Sequence, residues 1–274
     1  MADPLSADGG REKFLITGCQ RSGTTLAAMT LEAHPEIEMI EENDARFHVQ
    51  GAVTRELDLR AVSDHAVADG RRMTGYKAPR DSHRLEDVVH AFSLIRIVWV
   101  EREIRQTVSS MLDLGGTGTS WAAIYAPREI GKHIARTDDE KARELLDRAS
   151  ALEDERSRAA AFATLCWLVK REQRLRAEAR YASRLLRVDY DALTGESPRA
   201  LRRMLAFLDL PWNASVLNHP KVIADVMRPG KSDPHSPIDA GRRDKWRSRL
   251  SQADLEVIEH YRQLYEPLGE DGKN

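Results

Sequence analysis

The chain has few of the residues that would tie it to an oxidising compartment or a membrane. Only two of its 274 residues are cysteine, too few for a disulfide framework or a cysteine-rich metal site. We therefore interpret Cys19 and Cys166 as reduced thiols. No apolar run is long enough to span a bilayer, and residues 1–12 have the small, polar composition of a disordered tail rather than a signal peptide. These absences favour a cytoplasmic protein.

The chain also lacks a strong excess of charge of either sign. Its formal net charge is −2, whereas dedicated nucleic-acid binders are usually strongly basic. Hydrophobic residues make up 41% and charged residues 31% of the chain, which is typical of a globular protein with a real core rather than a disordered one. We therefore expect a globular protein whose partner is neither a nucleic acid nor a membrane.

One short loop, at residues 18–25, organises the sequence, since it follows an apolar run and precedes a helical one. In a strand–loop–helix unit, the N–H groups of the loop and of the helix start converge where an anion can bind. The glycine spacing matches the nucleotide-triphosphate loop G-x-x-x-x-G-K-[ST], but Thr24 stands where the lysine would be. We predict a phosphate-binding loop poorly suited to γ-phosphate transfer, and an ordinary turn is the alternative. The loop residues expected to contact a phosphate are Arg21, Ser22, Gly23, Thr24 and Thr25.

Strand-like and helical segments alternate along the rest of the chain. This alternation predicts an α/β fold in which a P-loop-type central parallel sheet is flanked by helices on both faces. We expect a single domain over residues 13–270, with a variable helical acceptor or lid region at residues 113–180 and a mobile stretch around Trp121 and Tyr125. Residues 52–70 are expected to form helix and loop. The principal strands are expected at residues 13–17, 37–40, 94–100 and 184–190.

A second possible anion site lies beyond the apolar run at residues 94–100. Arg102 closes this predicted strand and Ser110 lies on the helix that follows, so both can face a phosphate at the same edge of the sheet. Considered alone, this segment is equally well explained as a solvated helix start. Together with the loop at residues 18–25, it suits a nucleotide with phosphates at two positions.

Two acidic residues, Glu41 and Glu42, follow the predicted strand at residues 37–40. Ligands of open α/β sheets gather beyond the carboxyl ends of the strands, where a carboxylate can act as a general base. Glu41 could raise the pKa of Glu42 by like-charge repulsion, although neighbouring side chains on a strand point to opposite faces. A solvated acidic turn is the alternative. Lys77 stands near the end of another short predicted strand, where it can act as a point charge.

These motifs resemble those of sulfotransferases that use 3′-phosphoadenosine 5′-phosphosulfate (PAPS). The run Q-R-S-G-T-T-L followed by A-x-x-x-x-E-A-H-P is similar to their 5′-phosphosulfate loop, most of all in tyrosylprotein sulfotransferases and their bacterial relatives. Arg102, Arg105 and Ser110 resemble the 3′-phosphate site, although Glu103 and Ile104 replace the family's Asp and Pro. Further similar runs are V-D-Y-D-A-L at residues 188–193, F-L-D-L-P-W at residues 207–212, and lysine-containing segments at Lys231 and Lys245.

The resemblance implies transfer of a sulfuryl group from PAPS to a hydroxyl, less readily an amine, of a small molecule or glycan. Glu42 stands at the position of the family's general base, Lys77 at that of a lysine that binds sulfuryl oxygens, and Arg21 at that of the loop cation. Tyr190 would contact the nucleotide through its ring and hydroxyl, unless it is a core tyrosine. No metal is expected. The residues implied to bind the cofactor are Arg21, Ser22, Gly23, Thr24, Thr25, Arg102, Ser110, Tyr190 and Lys245.

Two other hypotheses remain open. A P-loop kinase of a small metabolite is disfavoured by Thr24 and by imperfect Mg²⁺ ligands, Glu101 and Glu103. A nucleotide-binding relative without turnover is disfavoured by the presence of both Glu42 and Lys77. The acceptor itself would be selected by the loop-rich segments at residues 43–70, 113–135 and 213–240.

Overall fold

A computed structural model of the chain describes residues 12–50, 55–68, 70–113, 115–116, 119–223 and 233–266. Nearly all of the predicted tail at residues 1–12, and Lys231, lie outside the described residues. The chain forms two compact units, Met1–Arg102 with Arg174–Ala240 and Glu103–Gln173 with Gly241–Asn274. Within the described part of the chain, no helix is both long enough and apolar enough to cross a membrane.

The strands and helices are numbered in chain order. The strands are β1 (Lys13–Gly18), β2 (Ile37–Ile40), β3 (His48–Gln50), β4 (Arg55–Leu57), β5 (Met73–Lys77), β6 (Arg96–Glu101), β7 (Gly115–Gly116), β8 (Thr119–Ser120) and β9 (Leu185–Asp189). The α-helices are α1 (Thr24–Glu32), α2 (Leu59–Asp64), α3 (Leu85–Ala91), α4 (Ile104–Asp113), α5 (Trp121–Thr137), α6 (Glu140–Ser150), α7 (Glu155–Tyr181), α8 (Tyr190–Gly195), α9 (Ser197–Phe207), α10 (His219–Val222) and α11 (Gln252–Tyr265).

The first unit is built on a five-stranded sheet in the order β2-β5-β1-β6-β9. Every neighbouring pair of strands in it is parallel. The central strand is β1, so the loop that follows β1 leaves the carboxyl edge of the sheet between the ends of β5 and β6. This order brings the segments after β5 and β6 to the two sides of the loop.

Side chains of the central strand alternate between two buried cores, as the period of a strand requires. Phe14 and Ile16 pack with residues of α1 and α9 on one face, whereas Leu15 packs with residues of α3 and the last turns of α7 on the other. A strand covered on both faces reads as a continuous apolar run, which is why β1 and β6 were visible in the sequence. The predicted fold class, a parallel sheet flanked by helices on both faces, is confirmed.

The second unit is helical. Helix α5 packs against α4 and α6, and α11 packs against α6. The prediction of a mobile stretch around Trp121 and Tyr125 was wrong, because both residues lie in α5. Ser120 caps this helix by accepting a hydrogen bond from the Ala123 N–H at 3.2 Å. Pro127 removes only one backbone hydrogen bond, and burial of one face of the helix outweighs that loss.

Two local predictions in the first unit also need correction. Residues 52–70, expected as helix and loop, include strand β4, which pairs antiparallel with β3. Tyr190, expected at the end of a strand, is the first residue of helix α8. Asp189 ends β9 and caps this helix, since its carboxylate accepts a hydrogen bond from the Ala192 N–H at 2.9 Å.

Candidate functional site

The loop between β1 and α1 (residues 18–25) has a backbone that requires glycine at both ends. Gly18 and Gly23 have φ angles of 143° and 102°, which L side chains rarely adopt. A Cβ atom on Gly18 would lie 2.2 Å from the Val100 carbonyl oxygen, and one on Gly23 would lie 2.4 Å from Tyr190 Cδ2. The glycines therefore allow the loop to approach both β6 and Tyr190 closely.

The Ser22 hydroxyl fixes the loop to the sheet. Its Oγ atom lies 2.6 Å from the Cys19 carbonyl oxygen and 2.9 Å from that of Val100, so one proton is shared between two acceptors. Thr17 Oγ1 donates to the Ala78 carbonyl oxygen at 3.1 Å on the opposite side. The Ser22 hydrogen bond thus attaches the loop to β6 and contributes to its rigidity, while the Thr17 hydrogen bond joins β1 to the residue after β5.

The start of α1 has the features of an anion-binding helix terminus. Its N-cap is Gly23, which supplies no side-chain hydrogen bond to the helix, and its first turn holds no acidic residue. The Ala27 N–H donates to the Gly23 carbonyl oxygen at 3.1 Å, so the N–H groups before it are directed out of the helix. Thr24 is buried and Thr25 half-buried in this turn. The backbone and hydroxyl donors fit a phosphate or sulfate group, which the positive end of a helix stabilises.

Arg102 lies on one side of the loop, directly after β6. Its Nη1 atom donates to the Arg21 carbonyl oxygen at 3.3 Å, and its Cζ atom lies 4.2 Å from the centroid of the Tyr190 ring. This is the geometry of a cation–π contact. Arg21, Gly23, Arg102 and Tyr190, which are distant in sequence, are therefore in one cluster.

Lys77 lies on the other side of the loop, at the end of β5. Its side chain is fully buried, and its Nζ atom lies 3.0 Å from Glu41 Oε2 and 3.2 Å from Glu42 Oε1. Neighbouring side chains on a strand point to opposite faces, but β2 ends at Ile40 and the chain turns after it. Both carboxylates consequently reach the same ammonium group. The sequence reasoning found Glu42 and Lys77 but missed this role of Glu41, which the register of β2 on β5 brings about.

Several solved structures that align with most of this chain are sulfotransferases. The sulfotransferase domain of the Synechococcus PCC 7002 olefin synthase aligns with a TM-score of 0.56 at 16% identity, over 94% of this chain and 97% of that one. The chain has the sulfotransferase fold. A sulfotransferase domain of the curacin biosynthetic pathway aligns with a TM-score of 0.56 at 13% identity, over 93% and 98% of the two chains. Mouse sulfotransferase SULT7A1, solved in complex with PAP, aligns with a TM-score of 0.55 at 13% identity, over 97% and 87%.

The sequence comparisons add nothing to this likeness. No protein-family model matches the chain, and no curated protein matches its sequence. The resemblance to sulfotransferases that the motifs indicated is confirmed at the level of the fold.

Two predicted site residues belong to the second unit of this sulfotransferase fold. Ser110 lies on α4, and Lys245 lies in a 3₁₀ helix at Ala240–Ser248. Beside Lys245, the Trp246 ring is flanked by the guanidinium carbons of Arg105 and Arg247, whose distances to its centroid are 4.4 Å and 4.6 Å. This segment is rich in cations, and the assignment of Ser110 and Lys245 to a cofactor stays a prediction.

Glu101, at the end of β6, is the residue that the kinase hypothesis would use to bind Mg²⁺. Its carboxylate instead forms ion pairs with two arginines. Glu101 Oε2 lies 2.9 Å from Arg187 Nε and 3.2 Å from Arg174 Nε. Among the described residues, no group of three or more His, Cys, Asp or Glu side chains is arranged to hold a metal ion. Glu101 therefore serves in an ion-pair cluster at this edge of the sheet.

His48 lies close enough to Glu42 to be affected by its charge. Burial lowers the pKa of His48, and this effect outweighs the attraction of the Asp81 and Glu42 carboxylates. Its imidazole is consequently uncharged at neutral pH. Lys77 is a cation in direct contact with Glu42.

Proposed function

We propose that the chain is a PAPS-dependent sulfotransferase. The observation that carries this proposal is the arrangement around the β1–α1 loop. An anion-binding helix start is flanked by a buried lysine–glutamate cluster at the end of β5 and by the Arg102–Tyr190 pair after β6. Transfer of an activated sulfuryl group requires donors that bind one phosphate, cations such as Lys77 and Arg102, and a carboxylate base.

The loop would hold the 5′-phosphosulfate end of the nucleotide. Donors from the start of α1, together with the Thr24 and Thr25 hydroxyls, suit its oxygens, and Arg21 adds a planar cation. Arg102 would bind the 3′-phosphate while it stacks on Tyr190. For Ser110 and Lys245, a role in nucleotide binding rests on the family resemblance alone. PAPS, when bound, supplies the activated sulfuryl group and leaves as PAP.

Glu42 would remove the proton of the acceptor hydroxyl. Its side chain is 14% exposed, whereas that of Lys77 is fully buried, so the carboxylate is the member of the pair that an acceptor can reach. Lys77 would stabilise negative charge on the sulfuryl oxygens as a fixed point charge. Preorganised charges of this kind supply much of the rate in group transfer to an oxygen.

The acceptor we propose is a hydroxyl of a small molecule or glycan, with an amine as the less favoured choice. Mouse SULT7A1, which has the same fold, was solved with PAP, and this supports the nucleotide assignment. The kinase alternative is weakened by Thr24, which replaces the loop lysine, and by the arginines that surround Glu101. A cytoplasmic location is supported by the two cysteines, both described, which are buried and form no disulfide.

The proposal is tested by incubating the protein with PAPS and a panel of phenols, alcohols, oligosaccharides and amines. Sulfated product and PAP are both quantified by mass spectrometry. Glu42→Gln keeps the shape of the side chain but removes the base, and should lower kcat by about 10²–10⁴-fold. Glu36→Gln, which breaks only an exposed ion pair with Arg72, is the matched control and should leave the rate unchanged.

Either of two results would contradict the proposal. Full activity of Glu42→Gln would show that the general base lies elsewhere. Phosphoryl transfer from ATP at a rate above sulfuryl transfer from PAPS would favour the kinase.

A further inference from the structure

Lys77 has one more carboxylate than its charge requires. Its ammonium contacts both Glu41 and Glu42, so the cluster of three side chains carries a net charge of −1 when all are ionised. A fully buried ammonium needs a counterion, because transferring a lone charge out of water is very costly. One carboxylate meets that need. The second therefore has another use.

The proposed reaction identifies that use, and the inference rests on the proposed function. When Glu42 takes up the acceptor proton, its negative charge disappears. With Glu41 in place, the charge of the cluster then changes from −1 to 0, and Lys77 keeps a counterion. Without Glu41, the charge would change from 0 to +1 in a buried site, which opposes the proton transfer.

The two glutamates are held differently. Glu41 directly follows β2, whose Ile40 pairs with Tyr76 of β5, and its carbonyl oxygen accepts a hydrogen bond from the Asp44 N–H at 3.0 Å. Its side chain is the less exposed of the two, 10% against 14%, and its oxygen is the nearer to Lys77 Nζ, at 3.0 Å against 3.2 Å. We assign the inner position to Glu41, which directly follows the paired end of β2.

We propose that Glu41 is a positioning residue, the permanent counterion of Lys77, which keeps Glu42 basic enough to accept the acceptor proton. Glu41 touches neither acceptor nor nucleotide in this role and acts through Lys77. The acceptor O–H bond breaks, its proton moves to Glu42, and its electron pair forms the new bond to sulfur while the bond from sulfur to the departing phosphate oxygen breaks. Lys77 keeps Glu41 as its counterion throughout.

The test compares Glu41→Gln with wild type and with the control Glu36→Gln. The first readout is the titration of the glutamate carboxyls by ¹³C NMR in the protein without ligands. In Glu41→Gln, Glu42 is the remaining carboxylate that contacts Lys77 among the described residues, and we expect the midpoint of the Glu42 titration to fall by about 1–3 pH units. The second readout is the pH dependence of kcat. Its acid limb should shift in the same direction, and kcat at pH 7 should fall by about tenfold at a nearly unchanged KM for PAPS.

The control and the conservative variant separate electrostatics from packing. Glu36→Gln should titrate and turn over as wild type does. Glu41→Asp keeps the negative charge, so the acid limb of its kcat–pH profile should lie close to that of wild type. If Glu41→Gln does not fold, the double variant Glu41→Gln/Lys77→Met decides: recovery of folding supports the counterion role, and failure of both variants to fold overturns it.

An unchanged Glu42 midpoint and an unchanged acid limb in folded Glu41→Gln would overturn the inference. The NMR titration needs no turnover, so it reports on Glu41 even if the chain transfers no sulfuryl group. Absence of turnover in wild type together with the expected NMR shift would refute the proposed function alone.

Discussion

The substitution Gly23→Ala tests the geometry of the β1–α1 loop most simply. At a φ of 102°, a side chain costs about 1–2 kcal/mol of backbone energy. The new Cβ atom would also lie 2.4 Å from Tyr190 Cδ2 and 2.8 Å from its Cε2, so it would overlap one edge of the ring. Overpacking of this kind costs about 1–3 kcal/mol more. The free energy of unfolding should therefore fall by about 2–5 kcal/mol.

Two other glycines separate the backbone cost from the steric cost. Gly70 also has a positive φ, 77°, but a Cβ atom there would meet nothing within 4 Å, so Gly70→Ala should cost only the backbone share, about 1–2 kcal/mol. Gly131 lies inside helix α5 with open space around it, so Gly131→Ala should stabilise the protein by about 0.4–1 kcal/mol.

Urea denaturation of the three variants and wild type gives the free energies to compare. The expected order of stability is Gly131→Ala, wild type, Gly70→Ala, Gly23→Ala. If Gly23→Ala were no less stable than Gly70→Ala, the Tyr190 ring would not be packed against the loop. The account of Tyr190 as a residue placed by the loop would then be wrong.

Three further predictions concern stability. Lys77→Met leaves two carboxylates without their cation and should lower the free energy of unfolding by about 3–5 kcal/mol, measured by urea denaturation. Ser22→Ala removes the donor shared by two carbonyl oxygens and should cost about 1–3 kcal/mol in the same assay, whereas a loss near zero would show that the hydroxyl does not hold the loop. Burial raises the pKa of Asp254, but hydrogen bonds from Arg156 and Ser251 outweigh it and hold the pKa below its usual value. A carboxyl whose pKa is lower in the folded protein than in the unfolded protein, where it is about 3.9, stabilises the fold above that pH. This stabilisation is lost as the pH falls through the pKa of the folded protein. Asp254→Asn should therefore flatten the decline of thermal stability below about pH 4, and an unchanged decline would contradict this assignment.

Much of the sheet could be predicted because its strands are buried on both faces. β1 and β6 lack the alternation of a half-exposed strand and appear as apolar runs, while the glycines at residues 18 and 23 mark the loop between β1 and α1. Strand β4 was missed, since three residues flanked by polar ones carry no periodicity. Helix α5 was missed because Pro127 and Gly131 disguise a helix that tertiary burial stabilises.

The candidate site was predicted less completely, since contacts depend on strand order. Glu42 and Lys77 were each assigned from sequence, but their ion pair follows from the pairing of β2 with β5. The sequence suggested an effect of Glu41 on the pKa of Glu42 but not its ion pair with Lys77. Alternation on a strand would point Glu41 away from Glu42, but β2 ends at Ile40, so alternation does not apply there. The stacking of Arg102 on Tyr190 required β9 to lie beside β6, which local patterns do not reveal.

The most direct test of the account is calorimetric binding of adenosine 3′,5′-bisphosphate and of ATP, without metal, to wild type and to Arg102→Ala. The account predicts that the bisphosphate binds wild type more tightly than ATP does. It also predicts that Arg102→Ala loses most of this binding, because the substitution removes both the cation and its contact with Tyr190. A preference for ATP that Mg²⁺ strengthens, or undiminished bisphosphate binding by Arg102→Ala, would contradict it.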